Sequence, residues 1–454
     1  MKNIKYYSTN LQAEVVDFKS ALLKGLAPDK GLYMPKEIPV FTKEEISKFS
    51  QMEYHEIAFE VGRKFLHDQI PDADLKSIVK DAYNYDVPLE NVYERKYVMR
   101  LDQGPTASFK DFAARMMGRL MQYYLDKENR ELLILTATSG DTGSAIANAF
   151  YELDNIKVVV LFPEDEVTNR QRKQMTTLGK NIKIIALKTK FDDCQYLVKD
   201  AFSDSELDYL NLSSANSINI GRLIPQIVYY FYSFAHLRKS EDEEVIFSVP
   251  SGNFGDMMGG MFAKKMGLPI KKFIIATNEN DEFPKFINTG NYDKIEPSKN
   301  CLSSAMNVGH PSNISRLIAL YDGVMDETGK ISKTPNMTKL RNDVYSTSIT
   351  DKETRDMIAK AYEQHNLLLE PHGSVGWAGL QRFLQEYPEF DEKDQLCISL
   401  ETAHPAKFPE QIIDILDIDP KLPVSLEGLE DKVESYDKVL NNYEEFKKYL
   451  IKNY

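Results

Sequence analysis

The run Gly104-Pro105-Thr106-Ala107-Ser108-Phe109-Lys110-Asp111-Phe112 sets one lysine between two phenylalanines at the start of a helical pattern. Phe112, Ala113, Met116, Met117, Leu120, Met121 and Tyr124 follow at spacings of three and four, which makes one buried helix face. Gly104-Pro105 is a turn signal, and Ser108 is a candidate N-cap. Lys110 therefore falls in the first turn of a helix, on an apolar collar. Apolar walls desolvate an ammonium, and the helix N-terminus is the positive end of the dipole, so both oppose the charged form. A lysine whose amine is readily neutral can condense with a carbonyl to form an imine. The same short pattern also describes a surface lysine that snorkels past two core aromatics. The rest of the chain has to decide between the two.

Two strand–glycine–helix turns bear on that choice. Ser251-Gly252-Asn253-Phe254-Gly255-Asp256 follows the apolar run Val245 to Pro250 and opens a helix. Converging backbone N–H groups at a helix start form a cradle for a phosphate without any lysine. Ser139-Gly140-Asp141-Thr142-Gly143 repeats the arrangement after the strand Leu132 to Ala137, with two hydroxyls and a carboxylate added. Tight packing between strand and helix also asks for glycine, so one such loop alone says little. Neither loop has the Rossmann or the Walker pattern. Two anion cradles with a neutral-prone lysine point to a phosphate-bearing aldehyde joined to the lysine, with a second anionic group beside it. Thr402, after the strand Gln395 to Leu400, puts a hydroxyl at a strand's C-terminal end, where ligands bind in open α/β sheets. A plain loop threonine fits there too, and His372 in Glu370-Pro371-His372-Gly373 fits a structural turn.

The elements that must position these groups read in order. Residues 1–95 form a mostly helical module, with a boundary suggested by Pro71, Pro88 and the charged stretch between them. Beyond it the rhythm is apolar run, glycine loop, helix, and continuous apolar strands of this kind make a parallel sheet covered on both faces. Helices are expected from Ser144 to Leu153, Asn219 to Leu237 and Asp256 to Met266. The stretch from Asn278 to Asn313 is a binding loop or a mobile lid, and the tail from Leu422 to Tyr454 is charged and helical in pattern.

Composition narrows the classes of function. The net charge of −13 argues against nucleic acid and anionic membrane surfaces as partners. Three widely spaced cysteines fit neither a disulfide framework nor a zinc knuckle, which points to a reducing compartment, the cytoplasm. No His-x-x-x-His pair or other metal motif proposes a metal site. No run of about 18 apolar residues proposes a membrane span.

Taken together the motifs resemble threonine synthases of the bacterial and fungal type, in the tryptophan-synthase-β fold family. The resemblance is carried by Lys5 to Thr9, Gly31 to Pro35, Gly104 to Ala113 and Thr138 to Ala145. It continues through Gln174 to Thr177, Phe191 to Gln195, Asn216 to Asn219, Ser251 to Asp256, Pro311 to Asn313, Glu370 to His372 and Thr402 to Phe408. It implies an α/β fold of two open, mostly parallel sheets flanked by helices. The 1–95 module would precede a smaller α/β domain at 96–215 and a larger one at 216–454. It implies pyridoxal 5'-phosphate as cofactor, with Lys110 as the imine-forming lysine. Gly252, Asn253, Phe254 and Asp256 would surround the cofactor phosphate, and Thr402 would face the pyridine nitrogen. Ser139, Gly140, Asp141 and Thr142 would hold a substrate carboxylate, and Asn216, Ser217 and Asn219 would line the site. The implied reaction turns O-phospho-L-homoserine and water into L-threonine and phosphate in a monomer or homodimer. Arg115, Lys173, Arg222 and Asn313 are candidates for the substrate phosphate. Two departures stand out: Met99-Arg100-Leu101-Asp102-Gln103, where an apolar run ending in histidine is expected, and Glu401, where serine is common. Other readings are a same-fold lyase or dehydratase that releases a 2-oxoacid, and a non-catalytic module that binds phosphate or a nucleotide.

Overall fold

The computed structural model describes residues 3–138 and 140–454. Two parallel sheets organise it. The larger runs in the order Val344–Ser348, Ile270–Thr277, Val245–Pro250, Leu396–Glu401, Lys96–Arg100 and Leu89–Tyr93, and only the last pair is antiparallel. The smaller runs Asp437–Lys438, Ile182–Leu187, Ile156–Pro163, Leu132–Ala137 and Leu212–Ser213, parallel throughout. Strands Leu132–Ala137, Val245–Pro250 and Leu396–Glu401 are buried along their whole length, as strands covered on both faces must be.

The module at the start of the chain comprises the hairpin Tyr6–Ser8 with Tyr33–Pro35 and the helices Phe18–Lys24, Lys43–Lys48, Tyr54–Leu66 and Asp72–Ala82. Its Phe18, Ile57 and Phe65 share one core with Phe112 and Met117 of the helix Lys110–Glu128 and Tyr229 of the helix Leu223–Leu237. The stretch between Pro71 and Pro88 thus holds a helix. Leu75, Val79 and Ala82 face inward, while Asp72 and Asp74 occupy its first turn and favour the dipole.

Sheet membership crosses the expected stretches at three points. Leu89–Tyr93, inside the expected 1–95 module, and Lys96–Arg100, inside the expected smaller domain, belong to the larger sheet, and Asp437–Lys438 returns to the smaller one. The helix Tyr443–Asn453 follows it there, setting Phe446 and Leu450 among Leu133, Leu135, Val159, Leu161 and Ile185. The long stretch after Asn278 is partly ordered into the helix Glu282–Thr289 and a short 3-10 turn at Ser304–Met306. The loops at Gly140, Gly252 and Thr402 each leave the C-terminal end of a parallel strand, the edge where such sheets bind ligands.

Candidate active site

Lys110 is the first residue of its helix. The cap is Phe109, with no side-chain bond, so Ser108 does not cap as expected. It is held elsewhere: Ser108 forms an antiparallel bridge with Ala403, flanked by Phe109 N–H donating to Thr402 O at 2.9 Å and His404 N–H donating to Ala107 O at 3.0 Å. That strip fixes Thr402 beside the lysine. The Ser108 hydroxyl is buried without a partner among the described residues. Thr106 closes the turn before it, donating from N–H and hydroxyl to the Asp111 carboxylate at 2.8 and 2.6 Å.

The Lys110 amine lies 4.9 Å from the Phe109 ring centroid and 3.7 Å from Asp141 Oδ2. Burial lowers its pKa, Asp141 opposes that, and Lys407 and Arg222 reinforce it. Asp141 opens the helix Asp141–Phe150, three residues earlier than the expected start. Its Oδ1 accepts Lys407 Nζ at 2.6 Å and Gln171 Nε2 at 2.9 Å, and its Oδ2 has no hydrogen-bond donor among the described residues. Burial would push this carboxyl up, but Lys407 and then Lys110 hold it well below the usual carboxylate range. Gly140 has φ 134°, and a Cβ there would stand 2.7 Å from the Gln171 amide carbon, so only glycine fits. Thr138 Oγ1 accepts the N–H groups of Gly140 at 3.0 Å and Gly143 at 2.7 Å, and thereby shapes the loop. Ser139 lies outside the described residues; Thr142 is half-buried in the helix's first turn.

The second glycine loop turns through Phe254 in the left-handed region, φ 62°, into the helix Gly255–Lys265. Among the described residues, the N–H groups of Gly252, Asn253 and Phe254 have no protein acceptor. A Cβ on Gly252 would press on backbone, 3.1 Å from Ala305 O and Met306 Cα. Asn253 is braced from behind: its Oδ1 accepts Ser312 N–H at 3.3 Å, and its carbonyl accepts Asn313 Nδ2 at 2.9 Å. Asp256 points inward, with Oδ1 accepting the hydroxyls of Tyr229 at 2.6 Å and Tyr230 at 2.8 Å. Burial pushes its carboxyl up to about 6, against the pull of those hydroxyls and Lys110.

Of the segment expected to line the site, Ser217 reaches Ser312 at 3.3 Å, and Asn216 accepts the Thr136 hydroxyl. Asn219 is turned to structure: its amide donates to Leu22 O at 2.8 Å and Ser214 O at 2.9 Å and accepts Gly221 N–H at 2.9 Å. The four phosphate candidates separate as well. Arg115 faces the first module, donating to Ala82 O and Asp81 O at 2.7 Å. Lys173 is paired with Glu430 at 3.4 Å, and Asn313 braces the glycine loop. Arg222 alone is buried with its Nε unpartnered and acts on the Lys110 charge. Three of the four are cations and Asn313 is neutral, but where each side chain points depends on elements distant in the chain.

The two departures turn out to be partners. Glu401 and Arg100 stand opposite each other on adjacent parallel strands, with side chains 3.6 Å apart. Arg100 also holds Glu90 at 2.7 Å. Glu401 Oε1 accepts the N–H of Glu370 at 3.0 Å. Glu370 in turn caps the helix Pro371–Glu386, accepting N–H from His372 at 2.6 Å and Gly373 at 2.8 Å. Burial pushes Glu370 up to about 8 and His372 down to about 3. His372 Nδ1 meets Ser303 Oγ at 2.5 Å and ties the long loop to this helix. Lys407, Gln171, Thr138 and Glu370 are the residues bonded to these loops that sequence reasoning did not select. Lys407 lay within the Thr402 to Phe408 run; Gln171 carried no signal.

Three protein families match the chain: "Threonine synthase N terminus" over residues 5–83, "Pyridoxal-phosphate dependent enzyme" over 87–401 and "Threonine synthase, C-terminal" over 374–450. A threonine synthase of Haemophilus influenzae is 38% identical over 449 residues, 98% of this chain and 99% of the relative. The crystal structure of PLP-bound threonine synthase from Brucella melitensis matches with TM-score 0.90 and 35% identity, over 98% of both chains. That of threonine synthase from Escherichia coli matches with TM-score 0.88 and 34% identity, over 99% of this chain and 100% of the other.

Proposed function

The chain belongs to the threonine synthase family and is a pyridoxal-phosphate-dependent enzyme, and we propose that it converts O-phospho-L-homoserine and water to L-threonine and phosphate at Lys110. The observation that carries the residue assignment is one juxtaposition. A desolvated lysine amine, 3.7 Å from a carboxylate oxygen, acts on the charge of Asp256, which follows a helix-start loop whose three N–H groups are free of protein acceptors among the described residues. Those residues fit the cofactor. The amides of Gly252, Asn253 and Phe254 would take its phosphate, Lys110 its aldehyde, and Thr402, pinned to Phe109, its ring nitrogen. When bound, the cofactor supplies an electron-withdrawing ring that allows protons to leave the α- and then the β-carbon of an amino acid.

The remaining steps belong to the protein. Lys110, whose amine burial biases toward neutrality, takes and returns protons at the substrate's carbons. The loop Ser139 to Thr142, opening a helix, holds the substrate carboxylate with N–H groups and hydroxyls. Ser217 lines the adjoining wall. Arg222, buried with an unpartnered Nε, is the cation best placed to meet the substrate phosphate. A threonine hydroxyl opposite the ring nitrogen does not enforce protonation there, unlike a carboxylate, and so tempers electron withdrawal. We place the reaction in the cytoplasm, where three free cysteines persist without pairing. Among the described residues no helix is long and apolar enough to cross a membrane.

Product analysis with O-phospho-L-homoserine tests the reading. The purified chain should release L-threonine and inorganic phosphate, and Lys110→Ala should lose turnover and any cofactor fixable by borohydride. Release of 2-oxobutyrate in place of threonine, or threonine from the Lys110→Ala variant, refutes it.

A further inference from the structure

We propose that Lys407 is a positioning residue for this reaction: through its ion pair with Asp141 it offsets the charge of the carboxylate 3.7 Å from Lys110, so that Asp141 orients the lysine amine without locking it in the protonated form. The inference rests on the assignment of Lys110 above and goes beyond it, to what sets that lysine's reactivity.

Lys407 is wholly buried and spends its donors on two acceptors, Asp141 Oδ1 at 2.6 Å and the carbonyl of Thr106 at 2.9 Å. The first acceptor starts a helix on the smaller sheet. The second lies four residues before Lys110, and Gln174 Nε2 also donates to it at 3.0 Å. One ammonium therefore ties the loop after Leu396–Glu401, the turn that delivers Lys110, and the start of the helix Asp141–Phe150. The division of labour on Asp141 is asymmetric. Oδ1 is occupied by Lys407 and Gln171, while Oδ2, without a hydrogen-bond partner among the described residues, faces Lys110 Nζ at 3.7 Å.

That asymmetry has an electrostatic consequence. A lone carboxylate at this distance in a dry site would strongly favour the ammonium form of Lys110. With Lys407 against its other oxygen, the pair is nearly neutral as seen from the lysine, and burial becomes the dominant influence. The other charged or titratable groups that act on Lys110 are Arg222, before the helix Leu223–Leu237; Glu370 and His372, at the start of Pro371–Glu386; and Asp256, in Gly255–Lys265. None of them touches Asp141 as Lys407 does.

The test uses the full-length chain freed of cofactor and pyridoxal lacking its phosphate, so the glycine loop contributes nothing. Borohydride trapping at Lys110, mapped by mass spectrometry, is followed against pH. Lys407→Met should move the half-labelling pH up by about one unit, about tenfold slower trapping below it. Asp141→Asn should move it down, the double variant should return near the parent, and Lys407→Arg should retain the parent profile. A Lys407→Met profile that coincides with the parent overturns the proposal. If that variant fails to fold by circular dichroism, an unmoved Asp141→Asn profile overturns it equally. Absence of trapping at Lys110 in the parent, even with phosphate-bearing cofactor, would instead sink the assignment of the lysine itself.

Discussion

Gly373 lies in the first turn of the helix Pro371–Glu386, where alanine is ordinarily the better residue by about 1 kcal/mol. Here the sign should reverse. A Cβ built on Gly373 falls 1.5 Å from Oε2 of Glu401 and 2.5 Å from its Cδ. Glu401 is wholly buried, and its other oxygen accepts the N–H of Glu370 at 3.0 Å. The carboxyl has to move, straining its rotamer and its surroundings by about 1–3 kcal/mol. It also gives up a hydrogen bond worth roughly 0.5–1.5 kcal/mol, since burial and Glu370 favour the neutral carboxyl of Glu401. After the helix-propensity gain, Gly373→Ala should destabilise by about 1–3 kcal/mol, read by urea unfolding. In a Glu401→Ser background the obstacle is gone, Arg100 keeps Glu90, and the same substitution should be neutral or stabilising. The coupling in the double-mutant cycle should reach about 2 kcal/mol or more. Stabilisation by Gly373→Ala in the parent chain, or strict additivity in the cycle, would refute the argument.

Further outcomes follow from other features. Phe446→Ala removes a wholly buried ring from beneath the smaller sheet and should cost about 3–5 kcal/mol in unfolding, with amide exchange accelerating in Leu132–Ala137 and Ile156–Pro163. Asp256 titrates higher folded than unfolded, so above its unfolded value the unfolded chain binds fewer protons and stability falls as pH rises toward about 6. Asp256→Asn should flatten that descent, worth about 3 kcal/mol between pH 4 and 7; an unchanged slope would exclude Asp256 as its source.

The parallel strands were legible because burial on both faces leaves an uninterrupted apolar run, as in Leu132–Ala137 and Val245–Pro250. Leu89–Tyr93 and Lys96–Arg100 were not. One is a half-buried antiparallel edge strand, and the other carries a buried lysine whose Nζ finds Glu392 O at 2.8 Å. The helix at Asp141 begins inside residues that locally read as loop, because its first turn is built around an ion pair with a residue far along the chain. Lys110 and the glycine loops announced themselves because their chemistry is local: apolar neighbours, a helix start, glycines. The assembly around Asp141 did not, since Lys407, Gln171 and Lys110 come from three separate segments. The pairing of Arg100 with Glu401 was likewise invisible until the two strands lay side by side, although each residue had already stood out as unusual.

The return of residues 437–453 to the smaller sheet bears on how the protein is made. The strands from Leu132 to Ser213 emerge from the ribosome long before Phe446 and Leu450, which close over their outer face. During synthesis that half of the molecule must wait with part of its apolar surface, beyond what the helix Phe191–Ser203 covers, exposed while the remaining four strands of the larger sheet are produced. The nascent chain is then a natural client for a holding chaperone.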